Sequence, residues 1–302
     1  MVRTIAVRGS PWDGEQKGAI YLLGGQRSGN TGKMYKVWRN QSQANRWWFR
    51  RVVGGGTQPL PSKEGASIPA LQVAISSTVR FTADVGGSRE VYLYDAGSVY
   101  RYDEESGTLT CVLAAASYAA KTTHWKTGKP LPPPDEVVIA DDGTAYLNWY
   151  RGSYPKGMVW RVSPDRNQVE LVIFNPSEAA FDGPALQSYW FGGPQMNGYQ
   201  PPNIILAGAV DDRWLRRLKD GRISTLCSDG EWREFATRGD ALKRPHLYAG
   251  FGTNGWAMYR DSPYVYRTYG SKSDYATTII RFGPVDWHKP TARRLLKDTN
   301  SK

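Results

Sequence analysis

Short alternating or continuous apolar runs recur along this chain, and turn residues separate them. Five of the runs share one pattern, in which a cation stands among apolar or aromatic neighbours. These cations are Lys36, Arg101, Arg161, Arg217 and Arg267. Each patterned run has one strand-like run before it and another after it. Such runs predict β-strands, and their recurrence every 50 to 65 residues predicts an internal repeat.

A fourth candidate strand precedes most of the repeated units. These candidates are residues 4–7, 71–75, 136–140 and 246–251. Turn pairs separate adjacent runs at Ser106-Gly107, Asp142-Gly143 and Asp220-Gly221, and these residue types tolerate the positive φ of tight hairpins. Each unit is therefore predicted to be an antiparallel meander of four strands.

A single four-stranded meander cannot cover its own apolar face, whereas several meanders arranged around one axis can. We therefore predict an all-β fold, a β-propeller of four-stranded antiparallel blades, with five blades favoured and six as the alternative. A β-helix and a pair of packed sandwiches are the other architectures considered. The propeller is predicted to span residues 1–284, followed by a basic C-terminal tail over residues 285–302.

The composition is that of a folded β protein with a net positive charge. The 302 residues are 40% hydrophobic and 13% aromatic, which is enough to form a core. The net charge of +11 favours an acidic partner, and a solvated basic surface is the plainer explanation. Only Cys111 and Cys227 are present, and we expect both to be free thiols.

The chain shows neither an export signal nor an apolar stretch of membrane-spanning length. We therefore expect a soluble protein of the cytoplasm or of a virion, with no membrane partner.

Two segments carry a family resemblance. The stronger one comprises Phe181-Asp182-Gly183-Pro184-Ala185, a strand near residues 203–207, and the run Asp211 to Leu226 with its Trp214-Leu215-Arg216-Arg217-Leu218 core. It resembles an NHL-repeat blade over residues 181–227. Residues 140–162 resemble the same family more faintly, and also the related gluconolactonase-like propellers. The resemblance implies the propeller fold, and the family it points to includes scaffolds, RNA binders and a few enzymes.

No metal, cofactor or catalytic constellation stands out in the sequence. His124, His246 and His288 are too far apart for a local metal motif, and neighbouring aspartates at 141–142 and 211–212 suit turns. We therefore predict no cofactor and no metal. The alternative is a metal-dependent lactonase or lyase, or a glycan-acting enzyme, for which Asp84, Asp95 and Asp135 are the acids to test.

Two regions outside the repeat pattern are candidates for binding a partner protein. The insertion over residues 176–202 carries Tyr189, Trp190, Phe191 and Tyr199, and the tail carries Trp287, Arg293 and Arg294. Exposed aromatic and arginine side chains are typical of interfaces. Packing of the same aromatic residues between blades is the alternative.

One run suits nucleic acid. It is Arg46-Trp47-Trp48-Phe49-Arg50-Arg51, in which Arg46, Trp47, Arg50 and Arg51 are the candidate contacts for bases and phosphates. The alternative is an ordinary outer strand whose alternate side chains pack between blades.

The function predicted first is that of a non-enzymatic interaction or assembly protein, bound to other proteins within a larger assembly such as a phage tail or baseplate. Enzymatic activity and sequence-tolerant nucleic-acid binding are the alternatives.

Overall fold

A computed structural model shows an all-β chain, as predicted. It describes residues 2–9, 18–25, 32–40, 46–82, 91–124, 127–140, 142–149, 158–174, 182–188, 196–198, 204–207, 215–227, 231–237, 253–258, 265–270 and 277–282. Helical structure in these ranges consists of short 3-10 turns at Ala70–Gln72, Ala115–Ser117 and Ala185–Gln187. No helix in the described ranges is long or apolar enough to cross a membrane.

The described strands form five sheets. The first sheet contains β1 (Val2–Gly9), β2 (Gly18–Gly25), β3 (Gly32–Arg39) and β4 (Trp47–Gly54). The second contains β5 (Ser67–Pro69), β6 (Arg80–Phe81), β7 (Val91–Asp95), β8 (Ser98–Asp103) and β9 (Thr108–Leu113). The third contains β10 (Glu136–Ile139), β11 (Ala145–Trp149), β12 (Met158–Val162) and β13 (Val169–Ile173).

The fourth sheet contains β14 (Gly183–Pro184), β15 (Met196–Gly198), β16 (Ile204–Ala207), β17 (Leu215–Lys219), β18 (Arg222–Leu226) and β19 (Trp232–Arg233). The fifth contains β20 (Thr253–Met258), β21 (Val265–Gly270) and β22 (Thr277–Phe282).

Within each sheet, consecutive strands lie side by side, except that β5 pairs with β9 and β14 with β18. The first and third sheets run β1-β2-β3-β4 and β10-β11-β12-β13, and the second and fourth contain the meanders β6-β7-β8-β9 and β15-β16-β17-β18. The cations of the repeat pattern lie on β3, β8, β12, β17 and β21. The predicted repeat of antiparallel meanders is therefore confirmed, with a four-stranded meander in four of the sheets and three described strands in the fifth.

One predicted strand is wrong. Residues 71–75 begin in the 3-10 turn Ala70–Gln72, and the fourth strand of that sheet is β6, which pairs with β7. The apolar alternation at Val73 and Ile75 is real, because both side chains are buried in the core between the first and second sheets. The segment buries these two side chains but forms no continuous hydrogen-bonded ladder, so its alternating apolar residues resemble a strand in the sequence. Residues 4–7 and 136–139 are strands as predicted, and residues 246–251 lie outside the described ranges.

The predicted turns are confirmed by their backbone angles. Gly107, Gly143 and Gly221 have φ values of 64°, 85° and 69°, and Asp220 has a φ of 50°. Asp142 also accepts the Thr144 backbone N–H at 2.8 Å, which is the turn role expected for it.

A four-residue sequence occurs twice with the same structure. Residues 69–72 and residues 184–187 both read Pro-Ala-Leu-Gln, and in each case a short strand, β5 or β14, leads into a 3-10 turn. The alanine N–H donates to a hairpin glycine carbonyl, Ala70 to Gly107 at 2.9 Å and Ala185 to Gly221 at 2.8 Å. Each copy adds an extra strand to the outer edge of its meander, on β9 and on β18.

The chain divides into two compact units, residues 1–139 with 162–169, and residues 140–161 with 170–302. In the first unit, side chains of the first and second sheets form one apolar core that includes Tyr21, Met34, Leu93 and Cys111. In the second unit, buried side chains include Leu147, Ile223 and Trp232. Cys111 and Cys227 are buried thiols, and neither forms a disulfide, as predicted.

Candidate binding face

Strands β3 and β4 form a face that combines aromatic and arginine side chains. Along β3, buried residues alternate with half-buried ones, so Tyr35, Val37 and Arg39 lie on the face away from the core. The antiparallel register places a β4 residue opposite each of them. The pairs are Tyr35 with Arg51, Val37 with Phe49, and Arg39 with Trp47. We call these six residues the aromatic–arginine face.

The β4 side of this face is strongly exposed. Phe49 is 72% exposed and Trp47 is 44% exposed, and the ring of Phe49 meets that of Tyr35 edge to face at 6.4 Å between centroids. Arg51 is also exposed, and its guanidinium lies against the backbone of Gly55. Large aromatic side chains exposed beside cations are typical of contact sites for other molecules.

The expectation that alternate side chains of this outer strand would be packed is wrong for its first five residues. Residues 47–51 are exposed on both faces of β4, and only Val52, Val53 and Gly54 are buried. The register shifts between Met34 and Tyr35, and only beyond this irregularity does β4 enter the apolar core with Ala70 and Ile75. The strand therefore projects beyond the part of the core that covers its C-terminal end.

The opposite face of β3 holds a buried cation. Lys36 forms an ion pair with Glu104, which comes from the hairpin between β8 and β9. The Tyr21 hydroxyl donates to the same carboxylate at 2.6 Å, and Arg50 lies 3.6 Å from it. The Lys36 ammonium and the Arg50 guanidinium also lie 5.4 and 5.6 Å from the ring centre of Trp38. This cluster joins the first two sheets of its unit.

Burial raises the pKa of Tyr102 to about 12, and the carboxylate of Glu104 acts in the same direction while Arg50 opposes it. Tyr102 packs edge to face with Tyr21 at 6.5 Å. The Tyr102 hydroxyl therefore stays protonated near neutral pH.

The structure separates the four residues predicted as one nucleic-acid site. Trp47 and Arg51 lie on the aromatic–arginine face, whereas Arg50 points to the Glu104 cluster on the other side of the sheet. Arg46 precedes β4 and is exposed. Tyr35, Val37, Arg39 and Phe49 join the face without having been predicted as contacts. The register between β3 and β4 places these residues on the face. The alternating residues of β3 were the sequence signal that could have indicated it.

The charge of the first sheet is unusually one-sided. Its four strands contain seven cations, Arg3, Arg8, Lys33, Lys36, Arg39, Arg50 and Arg51, and no aspartate or glutamate. The carboxylate of Glu104 reaches only the face that holds Lys36. Arg39 and Arg51 therefore place two cations on the aromatic–arginine face, and the strands of this sheet add no carboxylate there, which favours an acidic ligand.

The acids proposed for an enzyme are not gathered into a site in the described ranges. Asp95 accepts the backbone N–H of Ser76 at 3.0 Å and its hydroxyl at 2.5 Å, so it holds a loop in place. Asp135 lies just before β10, and Asp84 lies outside the described residues. No group of three or more His, Cys, Asp and Glu side chains that could hold a metal ion occurs in the part of the chain that the structure describes.

The residues predicted to bind a partner protein, Tyr189, Trp190, Phe191, Tyr199, Trp287, Arg293 and Arg294, all lie outside the described ranges. Of the three histidines, His124 is described, and its Nδ1 accepts the Thr127 N–H at 3.3 Å within a turn.

No protein-family model matches the chain, and no curated protein does. Similar solved structures include the crystal structure of a structural genomics protein of unknown function from Bacteroides thetaiotaomicron. It is 14% identical, and the match covers 84% of this chain and 54% of that one with a TM-score of 0.45. The chain therefore spans about half the length of that protein.

Proposed function

We propose that this chain is a non-enzymatic binding scaffold that holds an acidic macromolecule on its aromatic–arginine face. The observation that carries the proposal is the exposure of Trp47, Phe49 and Arg51 together on one side of a sheet whose strands contain no acidic residue. Aromatic residues and arginine dominate the binding energy of macromolecular interfaces, because they combine a large contact area with directional hydrogen bonds.

The scaffold we propose is a β-propeller with five blades. Five antiparallel sheets in chain order, each carrying a cation of the repeat pattern on a strand flanked by its neighbours, support this architecture. A ring of meanders leaves only short, protected strand edges, and the exposed residues of β4 lie where that strand projects beyond the apolar core. The NHL-like character of residues 181–227 is part of the same proposal.

Assembly within a larger particle, such as a phage tail or baseplate, is one setting in which such a scaffold would act, in the cytoplasm or in a virion. The chain would then be a component held by other proteins. Arg39 and Arg51, together with the exposed aromatic residues of the same face, support an acidic contact surface in that setting.

The proposal is tested with labelled poly-L-glutamate, an acidic polymer without rings or bases, by fluorescence anisotropy at low salt. We expect the wild-type protein to bind it and Arg51→Gln to weaken binding about fivefold, equivalent to about 1 kcal/mol.

Lys63→Gln is the matched control, because Lys63 is an exposed cation in the loop before β5 and its loss changes the net charge equally. We expect this variant to bind almost as well as the wild type. Equal losses in the two variants would show that net charge alone attracts the polymer, and would contradict a binding site on this face.

A further inference from the structure

We infer that the ligand of the aromatic–arginine face is single-stranded nucleic acid, held by base stacking on its rings and by phosphate contacts to its arginines. The inference rests on the proposed function, because it names the partner of the same face.

The order of residues across the face suits a strand of nucleotides. Arg51 and Arg39 stand at diagonally opposite ends, about 13 Å apart along the strand direction, and the rings of Tyr35, Phe49 and Trp47 lie among them. Each row of the face is about 7 Å from the next. Exposed rings on a sheet can stack on successive unpaired bases, while cations at the ends bind phosphates.

The size of the face favours a nucleic acid over a protein as its ligand. Two strands about 5 Å apart and about 13 Å long make this face a platform of six residues, whereas a stable protein interface takes about 20–30 residues from each partner. Two or three unstacked bases would fill the platform. A protein partner would have to extend far beyond these six residues.

A flat face of this kind also distinguishes single strands from duplexes. In a duplex the faces of the bases are already stacked on one another, so rings on a sheet cannot reach them. Duplex binding would use only the charge. The rings of Trp47 and Phe49 therefore predict a preference for unpaired bases, with little sequence selectivity because every base has a π-face.

The test measures anisotropy of a fluorescein-labelled oligothymidylate of about a dozen nucleotides, and of a duplex of equal length. We expect tighter binding of the single strand. Trp47→Ala and Phe49→Ala should each weaken it about tenfold, which is within the range for one stacked base.

Trp48→Ala is the matched control, since Trp48 neighbours Trp47, is exposed to a similar extent (47% against 44%) and lies on the opposite side of β4. We expect this variant to bind within about twofold of the wild type, because its ring does not contribute to the platform. All three substitutions affect exposed side chains, and circular dichroism checks that each variant is folded.

Salt supplies a second readout that folding defects would not mimic. The affinity for the single strand should fall linearly on a log–log plot against salt, and Arg51→Gln should lower the slope by about 0.7, the value for one lost phosphate contact. Lys63→Gln should leave the slope unchanged.

The outcomes separate the two proposals. Binding of poly-L-glutamate without binding of the oligonucleotide would keep the scaffold and overturn the nucleic-acid ligand in favour of an acidic protein. Failure to bind either probe would overturn both. Equal binding of duplex and single strand would show that unpaired bases are not needed, and equal losses in Trp47→Ala and Trp48→Ala would show that this side of β4 is not the binding face. Either result would overturn the inference.

Discussion

Asp182 and Arg216 form a buried ion pair that illustrates how single residues hold this fold. The guanidinium of Arg216 donates to one carboxylate oxygen at 3.1 and 2.8 Å. The other oxygen accepts the Thr225 hydroxyl at 2.8 Å and the Phe235 backbone N–H at 3.2 Å. Burial raises the pKa of the Asp182 carboxyl, and these four hydrogen bonds oppose that shift by favouring the carboxylate.

Replacing Asp182 should therefore be costly. Asp182→Asn keeps the size of the side chain but leaves the buried Arg216 without its counter-charge, and we expect a loss of about 3–5 kcal/mol in the free energy of unfolding. Urea denaturation followed by tryptophan fluorescence measures it. Glu234→Gln is the control, because its partner Arg222 is 34% exposed and such pairs contribute about 1 kcal/mol or less. Similar losses for both variants would contradict a special role for the buried pair.

Sequence reasoning recognised this segment but not the role of its residues. Asp182 and Arg216 were both part of the NHL-like resemblance, yet they are 34 positions apart and nothing local shows that they meet. Their contact depends on β14 pairing with β18 while β17 pairs with β18 from the other side. Long-range pairing of this kind is set by the sheet, so only the strands that produce it could be predicted.

At the scale of elements, the sequence predicted long strands well and short ones poorly. The meander strands have alternating side chains and glycine-containing turns. The strands and turns predicted from these signals are present in the structure. Strands β5 and β14 have three and two residues and contain proline, which is too short for any alternation. The repeated Pro-Ala-Leu-Gln was visible in the sequence and marked both places. Exposure of residues 47–51 could not be predicted, because it depends on where the core ends.

Glu64 ties three separate elements together, and its ionisation should make that link sensitive to acid. Its carboxylate accepts the Ala114 N–H at 2.9 Å, the Ser117 hydroxyl at 2.5 Å and the Arg166 Nε at 3.0 Å. Burial acts to raise the pKa of Glu64, but the hydrogen bonds and Arg166 outweigh it and hold the pKa below its usual value. The stabilisation is therefore complete above the unfolded pKa of about 4.3 and is lost as the pH falls through the lower folded value.

Glu64→Gln should consequently destabilise the protein at pH 7, with a difference from the wild type that shrinks below about pH 4. Urea midpoints measured between neutral and acid pH give that difference directly. Arg166→Gln should also destabilise the protein in neutral solution, because it removes the charged partner of the same carboxylate and the hydrogen bonds of the guanidinium to the Val112 and Ser163 carbonyls. A difference that stays constant from neutral to acid pH would mean that the shape of Glu64 matters and its charge does not.

At the scale of the whole molecule, the proposals depend on the distribution of charge and on the cooperativity of unfolding. Seven of the 39 lysines and arginines stand on the strands of the first sheet without a carboxylate among them, so that sheet contributes strongly to the net charge of +11. A positive field on one sheet would steer an acidic ligand to it and make association depend on salt. Composition revealed the charge, and strand register places Arg39 and Arg51 on one face and Lys36 and Arg50 on the other, beside Glu104.

The proposed propeller also predicts how the chain unfolds. Blades in a closed ring each cover the apolar face of a neighbour, so losing one exposes the next, and we expect a single calorimetric transition whose van't Hoff and calorimetric enthalpies agree. Asp182→Asn perturbs only the fourth sheet, but in a closed ring it should lower the temperature of that whole transition. Two transitions, of which the variant shifts only one, would show that the two compact units unfold independently and would contradict closure. Because the substitution perturbs one sheet and calorimetry observes the unfolding of all the sheets, the experiment measures the coupling between blades that a closed ring requires.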